Sequence, residues 1–542
     1  MDLATWATRI ATPAAALPSY RQDPSPLRRF VTKAMFYVFV VAVGLFYGLS
    51  VVVLPPILLL YISFPVLLLI ALILWAMPDS GEGPLALVTL GFFGFSLTVL
   101  LWPDYVAMQV PDFARISFRR LWSWELAACL LLCLSMSSAV RNRLRDRMAV
   151  TRPFWIMAGL YFAGQWLTVP FSTAPFASIN ISLNLFFVCG IPLLAATYLC
   201  DSAKSLRRWE ILILLAALGN CLIAAIEVRN GEVPWANHIP SFLSVDAETL
   251  QGILAGNVRD GKYRAASVFT VSLCLAEFLS VAAPFALGRA LATNRLASIA
   301  LWIAVDLILL GAIALTRSRL GIIGWLVSHA VFVLLWGWKR WSGKARDLVG
   351  PAVSLAFPLG ASALLVAMFT VPAVRNRTIA GGSTGLSDMA RRDQFELFWP
   401  KFISNPIGHG SGQSGVILDY HQPGGKLSVD SYFITTGIDY GVIGLICFFG
   451  MFLYTFYLMG TAYLSSDSEE TDIALPIACA IAVLFIVRMV LSQGDNLPLI
   501  FMVWGTAIAV YARLVGLPRR AAVQARPEPA DASDTPRLAP AE

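Results

Sequence analysis

ASIALWIAVDLILLGAIALTRSRLGIIGWLVSHAVFVLLWG, residues 297–337, is a pair of apolar runs joined by one short basic turn. Each run approaches the roughly 20 apolar residues that an α-helix needs to cross the hydrocarbon core of a bilayer. The pair therefore reads as two membrane helices. Working outward with the same length criterion, apolar runs lie near 34–54, 57–77, 84–102, 121–140, 154–170, 181–199, 210–227, 266–287, 348–371, 437–460, 473–491 and 498–516. Together with the first pair these make about fourteen spans. The whole chain agrees: of its 542 residues 58% are hydrophobic and 13% charged, and the mean hydropathy is +0.71. A soluble domain carries about 25% charged residues. A cytosolic enzyme, a nucleic-acid-binding domain and a disordered chain are excluded, because there is too little polar surface to keep so much apolar side chain in water. The expected fold is an all-α polytopic membrane protein, with one transmembrane domain over 34–516 between a cytoplasmic tail at 1–33 and a disordered tail at 517–542.

Basic residues near span ends are retained on the cytoplasmic side, and they orient the bundle. The net charge of +7 is read through this placement. RNRLRDR (141–147), KSLRR (204–208), Arg289 to Arg295, KRWSGKAR (339–346) and Arg519 with Arg520 all fall inside when the N-terminus is inside. Arg115, Arg119 and Arg120 outside, and the acidic SSDSEETD (465–472) inside, are the exceptions. Two long loops, 228–265 and 372–436, then face the periplasm or exterior, and the functional surface is expected there. Cys129, Cys133, Cys189, Cys200, Cys221, Cys274, Cys447 and Cys479 lie in or beside apolar runs and read as small core residues. No fixed-period repeat or inverted symmetry of two halves is visible, which weighs against a repeat-built transporter.

Ionisable residues at membrane depth are functional candidates, with structural pairing as the plainer alternative. Asp306 and His329 stand 12 residues before and 11 after Ser318, at similar depth on consecutive helices. A structural hydrogen bond or a proton relay would use them. Glu277, within the span at 266–287, is a secondary candidate. Arg488 near the end of its span reads as snorkelling to a local partner, with Asp495 across the next turn. In GKYRAASVF (261–269) Arg264 stands where the first long loop enters the membrane, and in LTRSRLG (315–321) Arg317 and Arg319 form an outer turn. Singly these are interface anchors. Together they suggest a site for a multiply charged anion, whose oxygens match guanidinium forks.

The second loop adds SDMARRDQFELFW (387–399), with Phe395, Phe398 and Trp399 on the helical face of Arg391. Arg392, about 100° away, can pair with Glu396. Arg391 is thus the functional candidate and Arg392 the structural one, on an amphipathic helix that Pro400 kinks or ends; a helix that merely lies on the interface is the alternative. NPIGHGSGQSG (405–415) lacks the Lys-Ser/Thr of a phosphate loop and by itself reads as a flexible turn. His409 and His421 have no ligand spacing around them that would complete a metal site. In LSVDSYFITTGIDYGVIGL (427–445) Asp430 closes the loop and Asp439 begins an apolar helix. On a regular helix the two carboxylates would face opposite ways, and Asp439 is expected to tolerate neutralisation better than Asp430.

The ordered set KYRAASVF, TRSRLG, ARRDQFELFWPKFISNPIGHGSG and VDSYFITTGIDYGVIGL resembles the O-antigen ligase and polysaccharide polymerase superfamily of membrane glycosyltransferases, often called Wzy-type, over roughly residues 260–455. The resemblance implies a GT-C-like bundle in the bacterial inner membrane, with its active site facing the periplasm. The implied donor is an undecaprenyl-pyrophosphate-linked glycan and the acceptor a second glycan, with no cofactor and no metal. Arg264, Arg319 and Arg391 would bind the pyrophosphate, and Asp430 would orient or deprotonate the acceptor hydroxyl. Ligases of the family carry His-Asn where this chain has Asp430 and Ser431; Asp there resembles the polymerase-type members. A chain-length regulator and a flippase are the partners this implies. The rival from another class is a lipid-linked oligosaccharide flippase or exporter, which would need charges lining a central cavity and has no use for long outer loops bearing Arg and Asp. In spheroplasts, a membrane-impermeant thiol reagent is expected to label cysteines introduced near Gly256 and Gly382 and to spare one in the C-terminal tail. The opposite pattern overturns the orientation.

Overall fold

The computed structural model describes residues 83–108, 116–236, 258–259, 261–343, 348–371, 383–421, 427–465 and 471–524, with isolated positions within 27–79 and 238–245. The chain divides into two compact units, Met1–Leu72 and Ile73–Glu542. The described positions of the first are helical. Most of the expected spans at 34–54 and 57–77, most of the N-terminal tail, residues 525–542, and the loop segments 246–257 and 372–382 lie outside the described residues.

The second unit is built of helices: α1 (Leu85–Leu101), α2 (Phe118–Met136), α3 (Ser138–Val150), α4 (Arg152–Leu167), α5 (Pro175–Leu199), α6 (Ala203–Asn230), α7 (Ser272–Leu291), α8 (Leu296–Leu315), α9 (Arg319–Gly343), α10 (Val349–Thr370), α11 (Ser383–Ser404), α12 (Ser414–Leu418), α13 (Tyr432–Ser465), α14 (Ala474–Arg488) and α15 (Leu497–Gln524). Two short antiparallel hairpins pair Ala107 with Ser117 and Val258 with Tyr263. Among the described residues seven helices are long and apolar enough to cross a membrane, or eight if α2 and α3 count as one broken span. The protein is a mostly helical multi-pass membrane protein. α1 and α14 are apolar but shorter.

Local chemistry explains the departures from straight spans. The run expected at 121–140 ends at Met136, and the chain turns by 103° into α3. Ser137 caps that turn by accepting Val140 N–H, so the arginines of RNRLRDR leave the apolar path. In α5 the π-turn Phe186–Gly190 stands just before Pro192. Proline has no N–H for the i−4 carbonyl, and a widened turn absorbs the lost bond.

α7 lies at the centre, packed by α8, α9 and α14, and is buried on nearly every side. Between membrane helices there is little hydrophobic drive, and close backbone approach through small residues takes its place. On α9, Gly321 sits so near α7 that a Cβ there would lie 2.6 Å from that of Ala276. Ser280 Oγ donates to Gly321 O at 2.9 Å across the same contact. A second centre is aromatic: Tyr161 of α4, Phe448 and Phe452 of α13 and Phe501 and Trp504 of α15 pack edge-on or tilted. Seven of the eight cysteines are buried in this helix packing.

Asp306 and His329 do meet, Nε2 to Oδ2 at 3.1 Å, with Trp325 Nε1 also on the carboxylate. Arg488 corrects the expectation of snorkelling. Its partner is Glu277 of α7, by a two-pronged bond whose Nε–Oε1 arm is 2.8 Å, and both side chains have no exposure. Asp495 is occupied elsewhere, by Thr270. Snorkelling fails because Glu277 offers a full countercharge at the same depth. Removing one partner of a buried pair leaves an uncompensated charge and costs about 3–5 kcal/mol, whereas apolar replacement of both is often tolerated. Glu277→Ala is therefore expected to lower the thermal midpoint in detergent strongly, and Glu277→Leu with Arg488→Leu to recover more than half of that loss. A double variant no better than the single one refutes the assignment.

Candidate functional site

Two ends of the bundle can be told apart by their contacts. At one, Arg147 pairs with Asp201, Arg289 with Glu210 and Lys339 with Asp472, which brings together the basic segments expected inside and the end of the acidic 465–472 stretch. At the other lie the candidate residues. Arg119 and Arg120, the exceptions to charge retention, are engaged here: Arg119 pairs with Asp104 and donates to Asp495 O, and Arg120 donates to Asn184 at 3.0 Å.

The loop carrying Arg264 is held by a residue that sequence reasoning passes over. Glu227, fully buried near the end of α6, accepts from Tyr263 Oη at 2.8 Å, from Ala266 N at 3.1 Å and from Ser267 N at 2.7 Å. Ser267 takes a left-handed φ of 53° and its hydroxyl donates to Asn220 Oδ1, also on α6. So braced, the loop runs along the end of α8: Ala265 N donates to Leu315 O, and Arg264 Nε to Thr316 O at 3.1 Å. Arg317, with φ of 51°, returns the tie through Nε to Tyr263 O. Arg319 is exposed in the first turn of α9. Arg264, Arg317 and Arg319 thus gather around one turn at a helix N-terminus, where guanidinium charge and helix dipole both favour an anion.

The second loop docks onto a break in α13. Gly441 has φ of +64° and ψ of −158°, and a Cβ there would lie 2.2 Å from Pro406 O. Gly408, at φ of +110°, also approaches the backbone of helix α13, where a Cβ would lie 2.6 Å from Asp439 O. Through this contact Val442 N donates to Pro406 O, and His409 N and Gly410 N donate to the carbonyls of Ile438 and Asp439. Residues 405–415 are therefore a fixed turn and not the flexible one expected, pinned also to α5 through Ser411 and Ser182. Asp439, fully within this contact, accepts Gly412 N at 2.8 Å and Ser414 N at 2.6 Å. The opposite-face argument lapses, since Asp430 precedes the helix and Gly441 breaks it. Asp439 is an anchor, and asparagine there would turn an NH₂ toward backbone N–H groups.

α11 passes through Pro400 and ends at Ser404. Its buried stripe centres on Gln394 and Phe398, the latter against Leu418, Ile434 and Ile438, while Trp399 is 48% exposed. Arg391 is half-buried one turn before Gln394, and Arg392 pairs with Glu396 at 3.1 Å on the exposed side. Gln394 Oε1 accepts Asp430 N at 2.9 Å, which brings Arg391 and Asp430 into one neighbourhood. Ser431 is buried and donates to Met489 O, so of the polar pair only Asp430 stands toward the loop surface. Segment 489–496 then joins both loops, by Ser492 to Val429 O and by Asp495 to Thr270 N and Oγ1. Glu277, a secondary candidate, lies deeper, in the ion pair with Arg488 and bonded by Asn496.

Residues 304–449 match the family model described as O-antigen ligase. That segment belongs to the O-antigen ligase and polymerase superfamily. The ligase-family segment contains every candidate from Arg317 to Asp439, and it is narrower than the likeness at 260–455, so that Arg264, Glu227 and segment 489–496 lie outside it. No curated protein matches the chain.

Glu227 gave one signal in the sequence, a carboxylate beside the end of an apolar run. Its loss strands two buried backbone donors at about 1–3 kcal/mol each. In Glu227→Ala, amide exchange at 263–268 is expected to rise at least tenfold while the cores of α7 and α13 keep wild-type protection. Unchanged exchange there shows that the loop has other support.

Proposed function

We propose that this protein is a membrane glycosyltransferase of the periplasmic face of the bacterial inner membrane, which polymerises undecaprenyl-pyrophosphate-linked repeat units into a cell-surface polysaccharide. The observation that carries this reading is the bonding state of the carboxylates at the candidate end. Glu227, Asp439 and Asp495 are committed to backbone N–H groups, and Asp104 to Arg119. Asp430, half-buried, accepts Ser428 Oγ at 3.1 Å and no backbone N–H or arginine among the described residues. Among the described residues of the same loop Asp393 and Asp419 are exposed, and Asp430 is the half-buried carboxylate that this reading assigns to the substrate.

In the proposed step the acceptor hydroxyl attacks the anomeric carbon of the donor, and Asp430 takes its proton as the new C–O bond forms. The bond from that carbon to the pyrophosphate oxygen breaks, and its electron pair leaves with undecaprenyl pyrophosphate. Arg264, Arg319 and Arg391 supply positive charge to the leaving group, which is more stabilising as charge develops there than in the ground state. Transfer of a finished glycan to a lipid or protein acceptor is the second reading, favoured by the ligase description of the matched family. Asp430 and Ser431 at the polar pair support the polymerase.

With purified variants and lipid-linked repeat units, Asp430→Asn is expected to cut polymer formation by 10²–10⁴-fold, the range of a lost general base, with donor binding retained. Arg264→Ala, Arg319→Ala and Arg391→Ala should lose both, and the lysine variants should recover less than charge alone predicts. Wild-type polymer from Asp430→Asn, or from all three alanine variants, overturns the assignment. Transfer of single glycans to a lipid acceptor without chain growth selects the ligase.

A further inference from the structure

Glu227, Asp439 and Asp495 hold irregular chain at the candidate end as carboxylates: the first takes the N–H groups of Ala266 and Ser267, the second those of Gly412 and Ser414, the third that of Thr270. The N–H of Asp430 is held differently. It donates to the neutral amide of Gln394, whose Oε1 accepts it at 2.9 Å. Because an N–H must face an oxygen, this bond also settles which amide atom is which. Nε2, on the same planar amide beside Asp430, is buried and has no acceptor.

Gln394 has no exposure, and it stands on the buried stripe of α11 one turn before Phe398, which packs in an apolar cluster. A stranded donor in such a place is costly. A glutamate would hold the Asp430 N–H more strongly and strand no donor; a methionine would fill the space with no polar atom at all. Glutamine combines what neither offers: an acceptor for the Asp430 N–H, a donor beside it, and no charge against the Asp430 carboxylate. That carboxylate has one hydrogen-bond partner among the described residues, Ser428 Oγ on Oδ1 at 3.1 Å, so its other oxygen can take a second.

We propose that Gln394 is the positioning residue of Asp430: Oε1 fixes its backbone, and Nε2 donates to its carboxylate in the working state, holding it ionised and turned toward the acceptor hydroxyl. The inference rests on Asp430 as the base of the proposed transfer. The other ionisable groups around Asp430 are Arg391 and Asp393 on α11, and Asp419, Tyr420 and His421 on the chain paired with Leu427 and Ser428. Burial, and then the charges of Asp393 and Asp430, push the Tyr420 phenol upward. The turn 489–496 behind Val429 is flanked by Arg488 and Asp495, which are committed to Glu277 and Thr270. All of these stay unchanged in the variants below.

The test uses the full-length protein in detergent with lipid-linked repeat units, following polymerisation against pH and amide exchange by mass spectrometry. In Gln394→Glu the stronger acceptor should keep the Asp430 N–H protected. While the new carboxyl is protonated its O–H stands in for Nε2; as pH rises and it ionises, the donor is lost and like charge pushes the Asp430 carboxylate away. The rate of this variant is therefore expected to fall by about tenfold or more as pH rises, toward the range where the wild type, relying on a carboxylate base, has reached its plateau. Gln394→Met, nearly the same length with no polar side-chain N or O, should raise exchange at Asp430 and lower kcat by about tenfold or more each, with KM within about threefold. A profile for Gln394→Glu that runs parallel to the wild type, or a wild-type kcat in Gln394→Met, overturns the proposal; Gln394→Met carries the test by itself if Gln394→Glu does not run as one species on gel filtration. Asp430→Asn separates this inference from the reading beneath it. At the wild-type rate it removes the base and the positioning role together, whereas an inactive Asp430→Asn beside unaffected Gln394 variants removes the positioning role alone.

Discussion

An arginine and a glutamate with no exposure to water, Arg488 and Glu277, join α14 to α7 at the centre of the second unit. Each ion alone in that surrounding would cost several kcal/mol of lost hydration, so neither position is tenable without the other. The pair also holds the turn between α14 and α15: Arg488 donates to Gln493 O, and Asn496 donates to Glu277 and to Cys274 O. That turn is thereby fixed, and through it the two loops that carry the candidate residues, by Ser492 on one side and Asp495 on the other. The ion pair is a constraint on placement more than a source of stability.

The same device recurs at smaller scale. Buried carboxylates meet backbone N–H groups of irregular chain: Glu227 under the Arg264 loop and Asp439 under the glycine turn. A helical protein has few means of shaping its loops, since its own backbone bonds are spent within helices, and a charged acceptor is the strongest substitute. This division of labour is why acidic residues near the candidate site serve as loop anchors as well as candidates for chemistry. Glycine serves the opposite need at Gly408 and Gly441, where two backbones approach more closely than any Cβ allows.

Much of this was legible in the chain. Apolar length marked α5 to α9, α13 and α15, and basic clusters marked the end at which Arg147, Arg289 and Lys339 meet carboxylates. Equal depth on consecutive helices foretold Asp306 with His329, and i, i+4 spacing foretold Arg392 with Glu396. These are local properties, carried by length, period and spacing along one or two adjacent helices.

What failed was non-local. Arg488 lay beside Asp495 in sequence and pairs with a residue 211 positions earlier. Glu227 reaches across to positions 36 to 40 further on, and nothing in its own neighbourhood announces the loop that it holds. Asp439 looked like a spare carboxylate because a regular helix was assumed, while a left-handed Gly441 and a docked turn make it an anchor. The sequence by itself determined that the chain crosses a membrane, where its charges gather and which ordered motifs it carries, because each depends on residues close along the chain. Which carboxylates hold loops was decided by tertiary structure alone, because a buried charge takes whatever partner the packing of distant helices brings to its depth.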